Sequence, residues 1–171
     1  TILAAAALLA ATFADAQRIA VLSDVHVTPG NENDRQLRAA VEEINRGAFD
    51  YVVVNGDLTN EGSDEQIANI KSILDRISLP LAVLPGNHEN NWSQSATKTF
   101  VDTFGNDRFI ATVGPDSLVL VGINCGPYMK MGDGHIKQEE LHWRRAALAD
   151  AAPKGRRVLE LNNYPLRESG R

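Results

Sequence analysis

The sequence predicts an α/β fold built on an open parallel sheet. Three short apolar runs, Arg18 to Ser23, Tyr51 to Val54 and Leu81 to Leu84, are typical of buried strands. A helical pattern follows each run, and polar side chains stand directly after each predicted strand. Because the carboxyl ends of parallel strands meet at one edge of a sheet, those polar side chains are expected to gather there.

The composition is that of one globular domain. The 171 residues include 43% hydrophobic and 23% charged side chains, which suffices for a buried core. The formal net charge of -5 excludes the basic footprint of a nucleic-acid-binding protein, so a phosphate substrate would need metal ions or a locally positive pocket. The single cysteine, Cys125, excludes an internal disulfide and follows an apolar run, which favours a buried residue over a reactive thiol.

Residues 1–16 predict a secretory signal peptide. Ile2 to Phe13 is an uncharged apolar run too short for a comfortable membrane span, and Ala14-Asp15-Ala16 has the small-x-small pattern of a cleavage site. Because the chain begins at Thr1 rather than at Met, we expect that it has been clipped there. An N-terminal helix or an uncleaved anchor is the alternative. The signal predicts a mature domain at residues 17–171 that is periplasmic or secreted, with no stable membrane span after cleavage.

One helix is predicted in each crossover between the first three strands, which makes those strands parallel. The first helix should begin near Asp34 and end at Gly47. The second should begin with a capping box formed by Ser63 and Gln66 and end before Pro80. Apolar residues recur on one face of each helix, namely Leu37, Val41 and Ile44 in the first and Ile67, Ile70, Leu74 and Ile77 in the second.

The dipeptide Asn55-Gly56 has two interpretations. Asn-Gly is the strongest two-residue hairpin signal, but a hairpin needs a second strand directly after it. The sequence continues instead through Leu58 to Gly62 into the capped helix. We therefore interpret Gly56 as backbone that must come close to something bound.

The second half of the chain predicts a third helix and a second sheet. Ser93 or Ser95 should cap the helix, and Gly105 should end it, with Phe100, Val101 and Phe104 facing inward. An antiparallel pair, a glycine-rich loop, a fourth helix and a last strand should follow. The antiparallel pair is expected at Arg108 to Val113 and Leu118 to Ile123, around a turn at 114–117. The glycine-rich loop should run from Gly126 to Gly134, and the last strand from Arg157 to Leu161. The fourth helix should span Lys137 to Ala152, with Leu141 and Leu148 facing inward.

Polar clusters with metal-ligand chemistry follow the three parallel strands. Asp24 and His26 follow the first strand, Asp57 follows the second, and Asn87 with His88 follows the third. Each cluster alone is a weak indicator, and the alternative is an α/β domain in which all three are turn chemistry. Successive clusters lie about one strand plus one helix apart, which places them at neighbouring strand ends. The order of the clusters therefore predicts a shared metal-binding pocket.

Three motifs resemble those of the calcineurin-like metallophosphoesterase family: Asp24-Val25-His26, Gly56-Asp57-Leu58-Thr59 and Gly86-Asn87-His88-Glu89. The resemblance implies an α/β/β/α sandwich with a parallel first sheet and helices outside. It implies that Asp24 and His26 hold one metal ion and that Asp57 bridges two. It also implies that Asn87 binds the second ion through its amide oxygen, and that His88 is catalytic and faces the phosphate.

The resemblance also implies a hydrolase of phosphate monoesters or diesters. Two cations about 3.5 to 4 Å apart clamp the oxygens of an in-line phosphoryl displacement and make hydroxide available from a shared water near neutral pH. Oxygen and nitrogen ligands admit Mn, Fe or Zn. We expect a small phosphate ester or a nucleotide-like molecule as the substrate. The first motif carries His26 where purple acid phosphatases usually have another residue, which disfavours that branch.

Two features depart from the family pattern. Asn163 stands where a histidine is expected, and no Gly-His-x-His motif occurs before Arg171. We therefore expect a fragment with an incomplete second sheet, whose second metal ion keeps Asp57, Asn87 and the weak amide of Asn163. Such a fragment should bind metal poorly and hydrolyse little. The alternative function is a degenerate domain that binds metal or phosphate without turnover.

Three more residues are candidates for the substrate side of the pocket. Asn90 and Trp92 follow the third motif and are predicted to rim the cleft, with ordinary loop packing as the alternative. His135 is a further candidate to face the substrate, although a solvated loop is favoured for it.

Overall fold

The computed structural model describes residues 17–114, 118–126, 134–151 and 155–164. The strands are β1 (Ile19–Leu22), β2 (Tyr51–Asn55), β3 (Leu81–Leu84), β4 (Phe109–Val113), β5 (Leu118–Gly122) and β6 (Arg157–Leu161). The helices are α1 (Glu32–Arg46), α2 (Asp64–Leu74), α3 (Lys98–Phe104) and α4 (Gln138–Ala151), and a π-helical turn spans His88–Trp92.

The first sheet consists of three parallel strands in the order β1-β2-β3. Ile19 pairs with Tyr51, and Val52 pairs with Leu81. The three valines of β2 are fully buried, as a central strand of a parallel sheet must be when both faces are covered. The predicted parallel sheet is confirmed, and its three strands end at one edge.

Helices α1 and α2 cover the outer face of the first sheet with the apolar faces that the sequence predicts. Val41 of α1 and Ile67 and Ile70 of α2 are buried in one core with Val54. Ile77, the last residue of the predicted second stripe, lies beyond the end of α2 and packs partly buried against this core.

The second sheet has the order β4-β5-β6, with β4 antiparallel and β6 parallel to β5. Its inner face packs on the first sheet, where Val53 of β2 is buried with Val113 and Leu120. Helix α4 covers its outer face, and Ala147 and Ala151 pack against the buried side chains of β5. The layers are therefore α/β/β/α, as predicted.

Two helices begin at residues other than those predicted. Helix α1 begins at Glu32 rather than near Asp34, because the Asn31 side chain caps it by accepting a hydrogen bond from the Asp34 N–H at 2.7 Å. Helix α3 begins at Lys98 rather than after Ser93 or Ser95. The π-helical turn and the left-handed backbone of Ala96, with φ 51°, come first and delay the regular helix. Gly105 ends α3 as predicted.

Helix α4 buries small residues and one carboxylate rather than the two predicted leucines. Leu148 is partly buried and packs against the core that Ala147 and Ala151 form with the side chains of β5. Leu141 is only half-buried. The buried Glu140 accepts a hydrogen bond from Arg108 at 2.7 Å. Burial raises the pKa of Glu140, and Arg108 opposes that shift. The ion pair ties the start of β4 to the first turn of α4.

Several predicted features fall outside the described residues. They are the signal peptide at 1–16, residues 115–117 of the predicted turn, residues 127–133 of the predicted glycine-rich loop, the connection at 152–154 and the segment after Tyr164. Among the helices that the structure does describe, none combines the length and the apolar character needed to cross a bilayer.

The single thiol is expected to resist modification while the protein is folded. Burial, together with the carboxylates of Glu140 and Glu160, raises the pKa of Cys125 to about 12. Because the thiolate is the reacting form, reaction with Ellman's reagent at pH 8 should be about a thousandfold slower than for a free cysteine. Kinetics with and without guanidinium would measure this, and a native rate within tenfold of the unfolded rate would contradict the burial of Cys125.

Candidate metal centre

The loops after β1 and β2 stay paired beyond the ends of the strands. The Asp24 N–H donates to the Gly56 carbonyl at 3.1 Å, and the His26 N–H donates to the Asp57 carbonyl at 3.0 Å. The Gly56 N–H in turn donates to Leu84 of β3 at 3.1 Å. Asn55-Gly56 therefore continues a parallel ladder and does not form a hairpin. This pairing brings the first two polar clusters side by side.

Three of the predicted ligands have left-handed backbones. The φ angles are 55° at Asp24, 46° at His26 and 50° at Asp57. Asp and His are among the residues that adopt this conformation most readily, although it is strained for any residue with a Cβ. Strain of this kind concentrates at functional sites, where the surroundings hold it in place.

A compact group of potential ligands lies at the carboxyl edge of the first sheet. His26, Asp57 and His88 each offer one ligand atom, and these atoms lie within 4.8 Å of one another. The two imidazole rings meet edge to face, with their centroids 4.6 Å apart. Asp24 is not a member of this group, and its Oδ2 accepts a hydrogen bond from the Ser23 hydroxyl at 2.5 Å.

The side chain of Asn87 faces Asp57 in an arrangement that suits a cation. The Asn87 amide oxygen lies 3.2 and 3.0 Å from the two carboxylate oxygens of Asp57. Three acceptors without a proton among them repel one another, so either the amide turns to donate or a positive ion lies between the oxygens. The carboxylate, the amide and the two imidazoles that gather here form a donor set that fits a metal.

Asn163 reaches this edge from the second sheet. It follows β6, and its Nδ2 donates to the Asn55 carbonyl at 3.2 Å. A Cβ added at Gly56 would lie 2.6 Å from Asn163, so Gly56 makes room for this side chain rather than for a bound molecule. A Cβ at Gly86 would lie 2.1 Å from the Asp57 Oδ1 and 2.8 Å from the Asn163 Oδ1. Both glycines are therefore required by close packing at the site.

His88 is held by hydrogen bonds on both its backbone and its ring. Its N–H donates to the Asp57 Oδ1 at 3.2 Å, and its Nδ1 lies 2.5 Å from the Asn60 carbonyl. A carbonyl only accepts, so Nδ1 carries the proton and Nε2 is the nitrogen left for chemistry. The Trp92 ring, which is 61% exposed, lies 6.2 Å from the His88 ring. Trp92 also lines a cavity of about 580 Å³ together with Gly62 and Ser95. Its place at the rim of the substrate cleft stays a prediction.

Glu89 links two of the ligand loops, a role that sequence reasoning missed although the residue closes the third motif. The side chain is 1% exposed. Its Oε1 accepts from the N–H and the hydroxyl of Thr59 at 2.9 and 2.8 Å, and its Oε2 accepts from the Gly86 N–H at 2.9 Å. Burial raises the pKa of Glu89, against the lowering effect of these hydrogen bonds. Glu89 thus joins the loop after Asp57 to the loop before Asn87.

The variant Glu89→Gln should destabilise the protein. Three donors now meet two carboxylate oxygens, and a glutamine would turn an NH2 group toward one of the donors, leaving it buried and unpaired. That costs about 1 to 3 kcal/mol and should lower the melting temperature by about 3 to 10 °C. Thermal unfolding followed by circular dichroism measures it, with Glu43→Gln on the exposed face of α1 as the matched control. Equal melting of the two variants would refute the link.

The other two substrate-side candidates are Asn90 and His135. Asn90 is 3% exposed, and its amide bonds internally to Gly86, Asn124 and Thr97. The geometry therefore favours the loop-packing alternative for Asn90. His135 is exposed, and its N–H donates to the Cys125 carbonyl at 3.0 Å, in keeping with the favoured surface loop.

The fold and the site together define a class of protein. An α/β/β/α sandwich that gathers carboxylate, imidazole and amide groups at the carboxyl edge of a parallel sheet has the architecture of a metal-dependent phosphoesterase. Within that class, the family model for Calcineurin-like phosphoesterase matches residues 17–167, and the chain belongs to this family. The resemblance inferred from the three motifs is thereby confirmed.

The chain is similar to proteins from two bacteria. An uncharacterized metallophosphoesterase of Helicobacter pylori is 34% identical over 121 residues, covering 65% of this chain and 29% of that protein. A probable cyclic nucleotide phosphodiesterase of Vesicomyosocius okutanii is 30% identical over 81 residues, covering 44% of this chain and 35% of that protein. The chain thus spans about a third of the length of these relatives.

A solved structure has the same fold. The dimetal phosphatase from Danio rerio superposes with a TM-score of 0.65 and 16% identity, covering 87% of this chain and 70% of that chain. At this level of identity the likeness supports the sandwich fold alone.

Proposed function

We propose that the protein hydrolyses phosphate esters with the help of two metal ions held at the carboxyl edge of the first sheet. The observation that carries this proposal is the approach of the Asp57 carboxylate to the imidazoles of His26 and His88 and to the Asn87 amide oxygen. When bound, two cations at such a site supply hydroxide from a shared water and neutralise the phosphoryl oxygens of an in-line displacement.

Each side chain has a separate role in this proposal. Asp24 and His26 would hold the first ion, and the Asp57 carboxylate would be shared by both ions. Asn87 and Asn163 complete the second position with their amide oxygens. The Nε2 of His88 is the remaining ring nitrogen. Because Nδ1–H faces the Asn60 carbonyl, the ring must be the doubly protonated imidazolium for Nε2 to donate a proton to the leaving oxygen or a hydrogen bond to the phosphoryl group.

The substrate in this proposal is a small phosphate monoester or diester, including nucleotide-like molecules. The name of the Vesicomyosocius okutanii relative, a probable cyclic nucleotide phosphodiesterase, supports a diester. The exposed Trp92 ring next to His88 offers a stacking surface for a base or another flat leaving group. The net charge of -5 argues against a polyanionic substrate.

A second candidate function is metal or phosphate binding without turnover. The observation in its favour is Asn163, because a neutral amide is a weaker ligand than the imidazole that the family pattern carries at that position.

One assay separates these functions. The product of the complete gene is given p-nitrophenyl phosphate and bis(p-nitrophenyl) phosphate with Mn²⁺, and again after chelation. Turnover that depends on Mn²⁺ supports the phosphoesterase, and the ratio of the two rates assigns it to monoesters or diesters. Absence of metal-dependent turnover with both substrates, in protein that retains its fold, favours the binding domain.

A further inference from the structure

Asn124, which follows β5 in the second sheet, bonds to the turn that carries His88, although it comes 34 residues after Asn90 in the chain. Resting on the proposed function, we propose that Asn124 is a positioning residue for that turn. Through a reciprocal amide pair with Asn90, it holds His88 where the ring can reach the phosphoryl group. The first sheet then supplies the side chains of the centre, and the second sheet fixes the place of His88.

The side chains of Asn90 and Asn124 face each other and exchange two hydrogen bonds. The Asn90 Nδ2 donates to the Asn124 Oδ1 at 3.1 Å, and the Asn124 Nδ2 donates to the Asn90 Oδ1 at 3.2 Å. Each of the two residues is only 3% exposed. Because a buried amide is costly to leave unpaired, this exchange holds both side chains in one arrangement.

Asn90 passes this restraint on to the third motif. Its Nδ2 also donates to the Gly86 carbonyl at 2.7 Å, and the same carbonyl accepts from the Asn90 backbone N–H at 3.2 Å. The Asn90 Oδ1 accepts from the Thr97 hydroxyl at 2.5 Å, which ties the turn to the segment before α3. Asn87 and His88 lie between Gly86 and Asn90 in the chain. The Asn90 side chain therefore closes the short loop that contains both of them.

Asn124 is itself fixed by the second sheet. Its Oδ1 accepts from the Gly126 N–H at 2.8 Å, and its Nδ2 donates to the Asp107 Oδ2 at 2.9 Å, just before β4. A backbone N–H only donates and an ionised carboxylate only accepts, so these two partners allow one orientation of the Asn124 amide. A Cβ added at Gly126 would lie 2.0 Å from the Asn90 Nδ2, so the backbone after β5 also packs directly against Asn90. Both amides thereby make the four hydrogen bonds available to a primary amide.

This pair complements the contacts that His88 makes with the first sheet. The ring is held by the Asn60 carbonyl and the backbone N–H by the Asp57 Oδ1, and both partners belong to the loop after β2. Asn124 holds the other end of the turn from the opposite sheet. A displacement of about 1 Å in a reacting group can cost about a hundredfold in rate. Loss of Asn124 should therefore slow the reaction without removing any group that touches substrate or metal.

The first test needs neither metal nor substrate. The product of the complete gene is labelled with isotope-enriched histidine, and the ring resonances of His88 are assigned by their loss in His88→Ala. We expect Asn124→Ala to shift these resonances. Asn45→Ala, which removes an amide that bonds to the segment after α2, is the matched control and should leave them in place. Unmoved His88 resonances in Asn124→Ala, or an equal shift in Asn45→Ala, would overturn the inference.

The second test measures turnover of an alkyl phosphate ester at saturating Mn²⁺. Asn124→Ala is expected to lower kcat by about 10 to 100-fold, with KM and metal content nearly unchanged. Because residues that act through one another are not additive, adding Asn124→Ala to His88→Ala should cost no further activity. Multiplied losses in the double variant, or loss of bound metal in Asn124→Ala, would contradict positioning through His88.

A paired substitution keeps the inference testable if Asn124→Ala does not fold. Asn124→Asp combined with Asp107→Asn exchanges the amide and the carboxylate between the two positions, so the contact between them can form again with its donor on the other side. An oxygen then faces the Asn90 Oδ1, and the donation to Asn90 is lost. The His88 resonances and kcat should change in the same direction as in Asn124→Ala. Unaltered values of both would refute the role of the amide pair.

The two measurements separate this inference from the proposed function. A protein that hydrolyses no ester, but whose His88 resonances move in Asn124→Ala and not in Asn45→Ala, retains the positioning role and refutes the phosphoesterase. A protein that hydrolyses esters with full kcat in Asn124→Ala retains the phosphoesterase and refutes the positioning role.

Discussion

In the product of the complete gene, replacing Asp57 with asparagine is expected to abolish metal-dependent hydrolysis. Asp57 is 6% exposed and is the carboxylate shared by the two imidazoles and the Asn87 amide. The substitution removes the negative charge between two cation positions and keeps the shape of the side chain. Because metal charge stabilisation contributes several kcal/mol, turnover should fall by about a thousandfold or more, with loss of both ions.

The fold should survive this substitution, which makes the result interpretable. Asparagine tolerates the left-handed backbone of Asp57 better than most residues, so local strain should change little. Asp102→Asn, which alters an exposed carboxylate paired with Lys98, is the matched control. Metal content measured by plasma emission and initial rates on both phosphate esters give the answer. Full metal content and activity in Asp57→Asn would place the centre elsewhere.

Replacing His88 with alanine is expected to lower kcat by about 100 to 10,000-fold while leaving metal content unchanged. The ring is held by Asn60 and packs against His26, so its Nε2 is positioned and not coordinated in our proposal. A proton donor matters most when the leaving group is poor. The loss should therefore be large for an alkyl phosphate ester and much smaller for a p-nitrophenyl ester.

The same variant distinguishes a catalytic residue from a metal ligand. His88 lies with His26 and Asp57 inside one 4.8 Å group, a geometry that a ligand would share. If His88→Ala loses one bound ion and its kcat falls by the same factor for both leaving groups, His88 holds metal. Trp92→Phe, which keeps an aromatic ring beside His88, serves as the control for disturbance of the π-helical turn.

The first sheet and the positions of most candidate ligands were predictable because their signals are local. Apolar runs such as Tyr51 to Val54 indicate a strand by themselves, and parallel pairing then forces Asp24, Asp57 and Asn87 to one edge. The caps at Ser63 and Gly105 are likewise set by neighbouring residues.

Other features depend on contacts between residues distant in sequence. The link from Glu89 to Thr59 spans two loops, and Asn90 bonds to Asn124 from the second sheet. Neither partner is identifiable from sequence spacing. The start of α3 was missed because a left-handed residue, Ala96, has no strong sequence signal. The orientation of the Asn163 amide depends on Asn55, more than a hundred residues earlier.

The left-handed backbones at Asp24, His26 and Asp57 create a trade-off between thermal stability and metal binding. Each costs about 1 to 2 kcal/mol that a glycine would not incur. Replacing one of them with glycine is therefore an ordinary route to a more heat-tolerant protein, but it would also remove a candidate metal ligand. Libraries varied at these positions and screened only for survival at high temperature should accumulate glycine and asparagine and lose metal binding. Enrichment of the original residues in such a screen would show that their left-handed conformations do not lower the stability of the protein.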